Sequence, residues 1–227
     1  MKRLIAFDLD NTLAKIGKGI QEKDVTLLKK LEDQGADIAI VSGKPAFYLC
    51  GLLRQIELKR PILAGENGAV IQIGVELPPK ERYVLPCSEE AKETVLFFRY
   101  KILQSIPEMF FQPNDVGLTP FPKNEEEFKI IQDLLGKFRP QLRDVTVYRH
   151  VDSYDFVPNG IDKKSGLRFL CKKMGGYDKV IAVGDGVNDY PMFEEADLAL
   201  GVRVKDEEKV DRNFDTITEL LEYLLEE

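Results

Sequence analysis

Asp8 and Asp10 stand two residues apart at the end of the apolar run Arg3–Asp8, and Asp185 and Asp189 stand four apart in Gly184-Asp185-Gly186-Val187-Asn188-Asp189. In an extended chain residues i and i+2 project to one side, so Asp8 and Asp10 present two carboxylates together. Asp185 and Asp189 can share one face of a first helical turn. Turn and N-cap chemistry also places acids at such points, and it explains the two glycines of the second string. It does not explain the accumulation of charge. Three carboxylates in one crevice (Asp8, Asp185 and Asp189) repel one another without a cation. Hard oxygen donors of this kind favour Mg2+, which keeps several waters and takes one or two carboxylates plus a phosphate oxygen.

Two further segments suit an anion. Ser42-Gly43 ends the buried run Ala36–Val41, and the backbone N–H groups of such a turn can bind a negatively charged group; a helix N-cap serine is the alternative. Asp162-Lys163-Lys164-Ser165 opens the helical pattern Lys163–Lys173. Cations are disfavoured in a first helical turn, so two consecutive lysines there point to an anion nearby or to an exposed basic turn.

These residues need a scaffold that brings strand ends and helix starts to one rim. Apolar runs at Arg3–Asp8, Ala36–Val41 and Pro61–Ala64 alternate with helical patterns at Asp24–Gln34 and Pro45–Gln55. The last third repeats this, with helix Lys163–Lys173, strand Lys179–Val183, helix Tyr190–Glu195, strand Leu198–Leu200 and helix Ile217–Leu225. The pattern predicts an α/β fold with a Rossmann-like parallel sheet, whose ligands bind beyond the C-terminal strand ends. The middle differs. Short strands at 83–85, 110–111, 117–119, 145–148 and 154–157 surround helices at 89–103 and 125–138, so residues 80–156 read as an inserted α+β unit. Residues 1–79 and 157–227 form the core.

Composition narrows the chemistry. The 227 residues are 44% hydrophobic with a net charge of −7 and a pI of about 5.1. That argues against nucleic-acid and anionic-membrane partners. No apolar run approaches the roughly 20 residues of a membrane span. The apolar start Leu4–Phe7 stops at Asp8, too early for a signal peptide. Cys50, Cys87 and Cys171 share no metal-type spacing, so reduced thiols in a cytoplasm are expected. His150 is the only histidine, which leaves the chemistry to carboxylates. A homodimer stays open.

The ordered set Asp8-x-Asp10-x-Thr12, strand-Ser42, Lys163 and Gly184-Asp185-x-x-x-Asp189 resembles the haloacid-dehalogenase-like superfamily. The insert resembles the C2B cap of its Cof-type branch, as does Glu66-Asn67-Gly68-Ala69. The resemblance implies a Mg2+-dependent phosphatase acting on a small phosphorylated metabolite. Asp8 attacks phosphorus and forms an aspartyl-phosphate, and Asp10 serves as acid and then base. Ser42, Gly43 and Lys163 hold the phosphoryl group. Asp8, the Asp10 carbonyl and Asp185 bind the metal, with Asp189 acting directly or through a water. Asn11 stands where many relatives have Gly, and Lys44 where Arg often follows the Ser-Gly pair.

Ser153-Tyr154-Asp155-Phe156-Val157-Pro158-Asn159-Gly160-Ile161-Asp162-Lys163 resembles a segment of eukaryotic-type phosphomannomutases, in which the Ser and Asp contact sugar hydroxyls. Ser153 and Asp155 are therefore expected to bind substrate, with solvent-facing alternation as the bland alternative. Archaeal phosphoglycolate phosphatases, similar in size and cap position, make a phosphorylated short acid the rival to a sugar phosphate. A hexose phosphomutase is the alternative activity. A receiver-type phospho-accepting switch also clusters Asp and Lys, but such domains are shorter and have no inserted cap. P-type ATPases share the Gly-Asp-Gly-Val-Asn-Asp string but span membranes.

Overall fold

A computed structural model describes residues 1–227, which divide into two compact units, Met1–Tyr83 with Asp162–Glu227, and Val84–Ile161. The first unit contains strands β1 (Arg3–Phe7), β2 (Ala36–Val41), β3 (Ile62–Gly65) and β4 (Val70–Ile73), and β5 (Glu81–Val84) lies at its end. Its helices in this part are α1 (Glu22–Asp33) and α2 (Ala46–Ile56). The second unit holds α3 (Glu89–Ser105), β6 (Phe110–Phe111), β7 (Pro120–Phe121), α4 (Glu125–Lys137), β8 (Val145–Arg149) and β9 (Tyr154–Pro158). The chain then returns through α5 (Lys163–Lys173), β10 (Lys179–Gly184), α6 (Tyr190–Phe193), β11 (Leu198–Val202), β12 (Arg212–Phe214) and α7 (Ile217–Glu226).

One eight-stranded sheet runs in the order β12-β11-β10-β1-β2-β3-β4-β5. From β12 to β3 every pairing is parallel, and β4 turns back antiparallel on β3. β1 is central, with Phe7 opposite Val183 on one side and Ile40 on the other. The chain leaves β1 towards β2 and β3, and later fills the opposite side with β10 and β11. This reversal makes the C-terminal end of β1 a topological switch point, where doubly wound sheets open a crevice. Continuous apolar runs are what strands covered on both faces require, and Leu4, Ile5, Phe7, Ile38, Ile40, Ile181 and Val183 are all buried. Leu27, Leu28 and Leu31 of α1 join Leu220, Leu221 and Leu224 of α7 in the same core.

β4 and β12 are absent from the sequence reading. Val70–Ile73 is a short run between Gly68 and Gly74, and the three residues of β12 include Arg212 and Asn213, so neither shows a strand period.

The second unit has its own core, in which Phe98 and Ile102 of α3 meet Phe128 and Ile131 of α4 and Tyr154 and Phe156 of β9. β9 pairs antiparallel with β8 as far as Pro158 and Val145. That pairing holds β9 in this unit up to its end, so the division falls at Ile161 and Asp162 rather than near 156. The strand expected at 117–119 forms at Pro120–Phe121 instead, while Leu118 bridges Phe156. No helix is long and apolar enough to cross a membrane.

Candidate active site

The Asp8 amide donates to the Val183 carbonyl at 2.8 Å, extending the β1–β10 ladder by one residue before the chain turns. The turn closes through Asn11 N to Ala14 O at 2.6 Å and Ala14 N to Leu9 O at 3.0 Å. Asn11 takes φ +66°, a left-handed conformation that Gly adopts freely and Asn tolerates. That explains why either residue suits this position. Asp10 Oδ2 then lies 3.1 Å from Lys44 Nζ, and Thr12 Oγ1 donates to Asp185 Oδ1 at 3.4 Å.

Lys163 is the hinge of the charge network. Only 1% exposed, it donates from Nζ to Asp8 Oδ1 at 2.5 Å and to Asp189 Oδ1 at 2.6 Å. The other Asp189 oxygen accepts the backbone N–H groups of Asp185 at 2.9 Å and Gly186 at 3.1 Å. This close seat needs Gly184, because a Cβ there would meet Asp189 Cγ at 2.4 Å.

The root of Lys163 is fixed from two directions. Asp162 caps α5 by accepting from Ser165 N, and Ser165 Oγ bonds back to the Asp162 amide, a reciprocal box that satisfies two helix-end donors. Gly166, one turn along, packs on Gly68, where a Cβ on Gly166 would meet Gly68 Cα at 2.5 Å. Lys164 pairs with Glu194 at 2.8 Å. The two lysines in this first turn are therefore balanced by protein carboxylates, and only Lys163 reaches the acid cluster.

Burial pushes the Asp8 carboxyl up to about 6, with Asp189 and Asp185 adding to the rise and Lys163 opposing it. Burial and Asp189 also raise Asp185. Burial works against the charge on Lys163, but Asp8 and Asp189 outweigh it and hold that ammonium above the ordinary lysine range. Asp8 Oδ2 is buried and has no hydrogen-bond partner. Ligand oxygens of Asp8, Asp185 and Asp189 lie within 4.8 Å of one another. An orphaned buried carboxylate oxygen in an all-oxygen acidic cluster fits a hard divalent cation. Asp189 is already bonded through both oxygens, so Asp8 and Asp185 are the better placed donors.

Ser42 follows β2 and is buried. Its amide donates to Ala64 O and its carbonyl accepts from Asn67 N, both at 2.9 Å, while its Oγ accepts the Lys44 amide at 3.3 Å. Gly43 lies against the Asn67 side chain, 3.5 Å from where a Cβ would stand. The Glu66-Asn67-Gly68 turn, with left-handed φ at all three residues, thus braces both the Ser42 strand end and the α5 start. Neither Gly68–Gly166 packing nor the Gly184 seat follows from spacing, though a glycine directly before an acid string and an Asn-Gly pair are the available signals.

In the second unit, Tyr154 and Phe156 enter the apolar core and Asp155 alternates away from them, half-buried. Asp155 Oδ1 accepts from Thr119 Oγ1 at 2.7 Å, and Oδ2 lies 3.1 Å from His150 Nε2. Thr119 in turn accepts from Asn114 Nδ2 at 3.0 Å. Ser153, also buried, donates to Asp152 at 3.2 Å. The expected partners Ser153 and Asp155 are thus engaged inside their own unit.

Comparison with known proteins agrees with this arrangement. A family model described as haloacid dehalogenase-like hydrolase matches residues 5–83 and 81–218. A phosphoglycolate phosphatase of Methanopyrus kandleri is 24% identical over 204 residues, covering 88% of this chain and 84% of that one. A phosphoglycolate phosphatase of Nitrosopumilus maritimus is 28% identical over 206 residues, with the same coverage of 88% and 84%. The fold matches a crystal structure of a haloacid dehalogenase-like hydrolase from Bacteroides thetaiotaomicron with a TM-score of 0.81 at 20% identity, covering 99% of this chain and 100% of that one. With the family model spanning nearly the whole chain and the acid cluster assembled at the switch point of its sheet, the protein belongs to the haloacid dehalogenase-like hydrolases.

Proposed function

We propose that the protein is a Mg2+-dependent phosphatase that removes phosphate from a small metabolite through an aspartyl-phosphate on Asp8. One observation carries this reading. Asp8 is a buried carboxylate at the end of the central strand, held through one oxygen by Lys163 while the other has no partner.

In the first step Asp8 attacks phosphorus, the P–O bond to the leaving group breaks, and Asp10 donates its proton to the departing oxygen. In the second, water attacks the aspartyl-phosphate, Asp10 accepts the water's proton, and phosphate leaves with Asp8 regenerated. Lys163 neutralises charge on the phosphoryl oxygens, and Ser42 and the Gly43 amide orient them. Asp8, the Asp10 carbonyl and Asp185 would hold the metal, while Asp189 positions Lys163 and the Asp185 loop. Bound Mg2+ supplies further charge neutralisation, the main demand of phosphoryl transfer.

The relatives named as phosphoglycolate phosphatases support a phosphorylated short acid as substrate, with a sugar phosphate as the second reading. The second reading is supported by the resemblance of the string from Ser153 to Lys163 to phosphomannomutases, which implies contacts of Ser153 and Asp155 with substrate hydroxyls. The test is release of phosphate from 2-phosphoglycolate, hexose phosphates and nucleotides, with Mg2+ and with excess chelator. Mg2+-dependent release from a small phosphate ester is expected. Full activity in chelator, or sugar-phosphate isomer exchange without release, would overturn it.

A further inference from the structure

Three basic side chains contact the motif residues, and they differ in what they can still do. Lys163 is buried and directed at two carboxylates. Arg203 donates to the carbonyls of Asn11 and Asp215 at 3.0 and 3.5 Å. Lys44 pairs with Asp10 at 3.1 Å and keeps 33% of its side chain exposed. One interaction leaves an ammonium with donors to spare.

The root of Lys44 is well held. Its amide donates to Ser42 Oγ, and its carbonyl accepts from the Glu66 amide at 2.9 Å. It also lies just before α2, whose first turn contains no acid to offset the positive end of the helix. The near partner of its ammonium is the proposed acid–base residue.

That partner fixes what Lys44 meets. The leaving oxygen must come within hydrogen-bond distance of Asp10 to take its proton. Bonded to Asp10 Oδ2, it then lies within about 6 Å of Lys44 Nζ, the sum of the Lys44–Asp10 Oδ2 separation and one hydrogen bond. Groups two or three bonds beyond the leaving oxygen then come within reach of the ammonium.

We propose that Lys44 is a specificity-determining residue that receives an anionic group of the carboxylate class borne by the leaving group close to its ester oxygen. The inference rests on the phosphatase reading above and gives that site its substrate class. It separates esters of short hydroxy acids from esters of neutral alcohols.

The experiment compares 2-phosphoglycolate with 2-hydroxyethyl phosphate, which replaces the carboxylate by a neutral hydroxymethyl group. Wild-type enzyme is expected to favour 2-phosphoglycolate in kcat/KM. In Lys44→Met that preference falls by roughly tenfold to hundredfold, the value of a hydrogen bond to a charged group, and Lys44→Arg restores much of it. Inhibition by glycolate weakens in parallel in Lys44→Met. A wild type that prefers the neutral ester, or a Lys44→Met enzyme with an unchanged preference, overturns the assignment and leaves the phosphatase reading intact. A wild type inert towards both esters and every other phosphate ester overturns the two together.

Discussion

A carboxylate as enclosed as Asp8 ionises against its surroundings, and this has a measurable pH signature. Its folded-state value of about 6 lies above the unfolded 3.8. The native protein therefore holds the proton that the unfolded chain has released, and metal-free stability falls as pH rises from about 4 to about 6. The loss is about 2–3 kcal/mol at roughly 1.4 kcal/mol per pKa unit. A bound cation removes that disadvantage. Mg2+ at about a hundred times its Kd is expected to raise Tm by about 5–10 °C at pH 8, and by clearly less at pH 5, where Asp8 is protonated. Differential scanning fluorimetry checks both arms. Asp185→Ala should abolish most of the Mg2+ response, whereas Asp189→Ala should lower metal-free stability, because it deprives buried Lys163 of one carboxylate. Asp8→Asn is expected to end turnover with the fold intact by circular dichroism, and Asp10→Asn to cost about 10²–10⁴-fold, most for poor leaving groups. The acids were legible in the sequence because their types and spacing are themselves the chemistry. Their hydrogen bonds were not, since only coordinates reveal that both Asp189 oxygens are taken.

Elements translate these contacts into positions, and glycines decide how closely elements approach. Strands β1, β2 and β10 and helix α5 could be read almost to the residue, because a buried parallel strand is a continuous apolar run and α5 carries its own cap box. β4 and β12 could not, being short and without a period. The contact that sets the height of Lys163 is the pair Gly68–Gly166, which no local pattern announces. Gly166→Ala is expected to cost about 1–3 kcal/mol in urea denaturation, as overpacking does, and to reduce kcat by displacing the α5 start. Gly136→Ala on α4 provides the contrast. Nothing lies within 4 Å of its Cβ position. A glycine inside a helix is disfavoured, so that substitution should stabilise by about 0.5–1 kcal/mol and leave kcat unchanged. Equal destabilisation by both would remove the special role given to the Gly68 contact.

At the scale of the molecule, the chain builds two cores, one in each compact unit. The inserted unit was visible as a break in the strand–helix alternation, but its limits were not. β8 and β9 were read as strands, and the structure pairs them antiparallel from Val145–Pro158 to Arg149–Tyr154. The assignment of Ser153 and Asp155 to substrate hydroxyls is the boldest claim at this scale. Asp155 already serves Thr119 and His150, so a structural role is a real competitor, and the substitutions must separate the two. Ser153→Ala and Asp155→Asn are expected to lower kcat/KM for a hydroxylated phosphate ester by about 1–3 kcal/mol each, and to leave an aryl phosphate nearly unaffected. Asp155→Asn keeps an acceptor for Thr119, so Tm should shift little. A matching loss on both esters together with a lowered Tm would assign Asp155 to the internal network with Thr119 and Asn114. No loss on either ester would remove the hydroxyl reading and leave the carboxylate preference of Lys44 as the sole determinant of the leaving group.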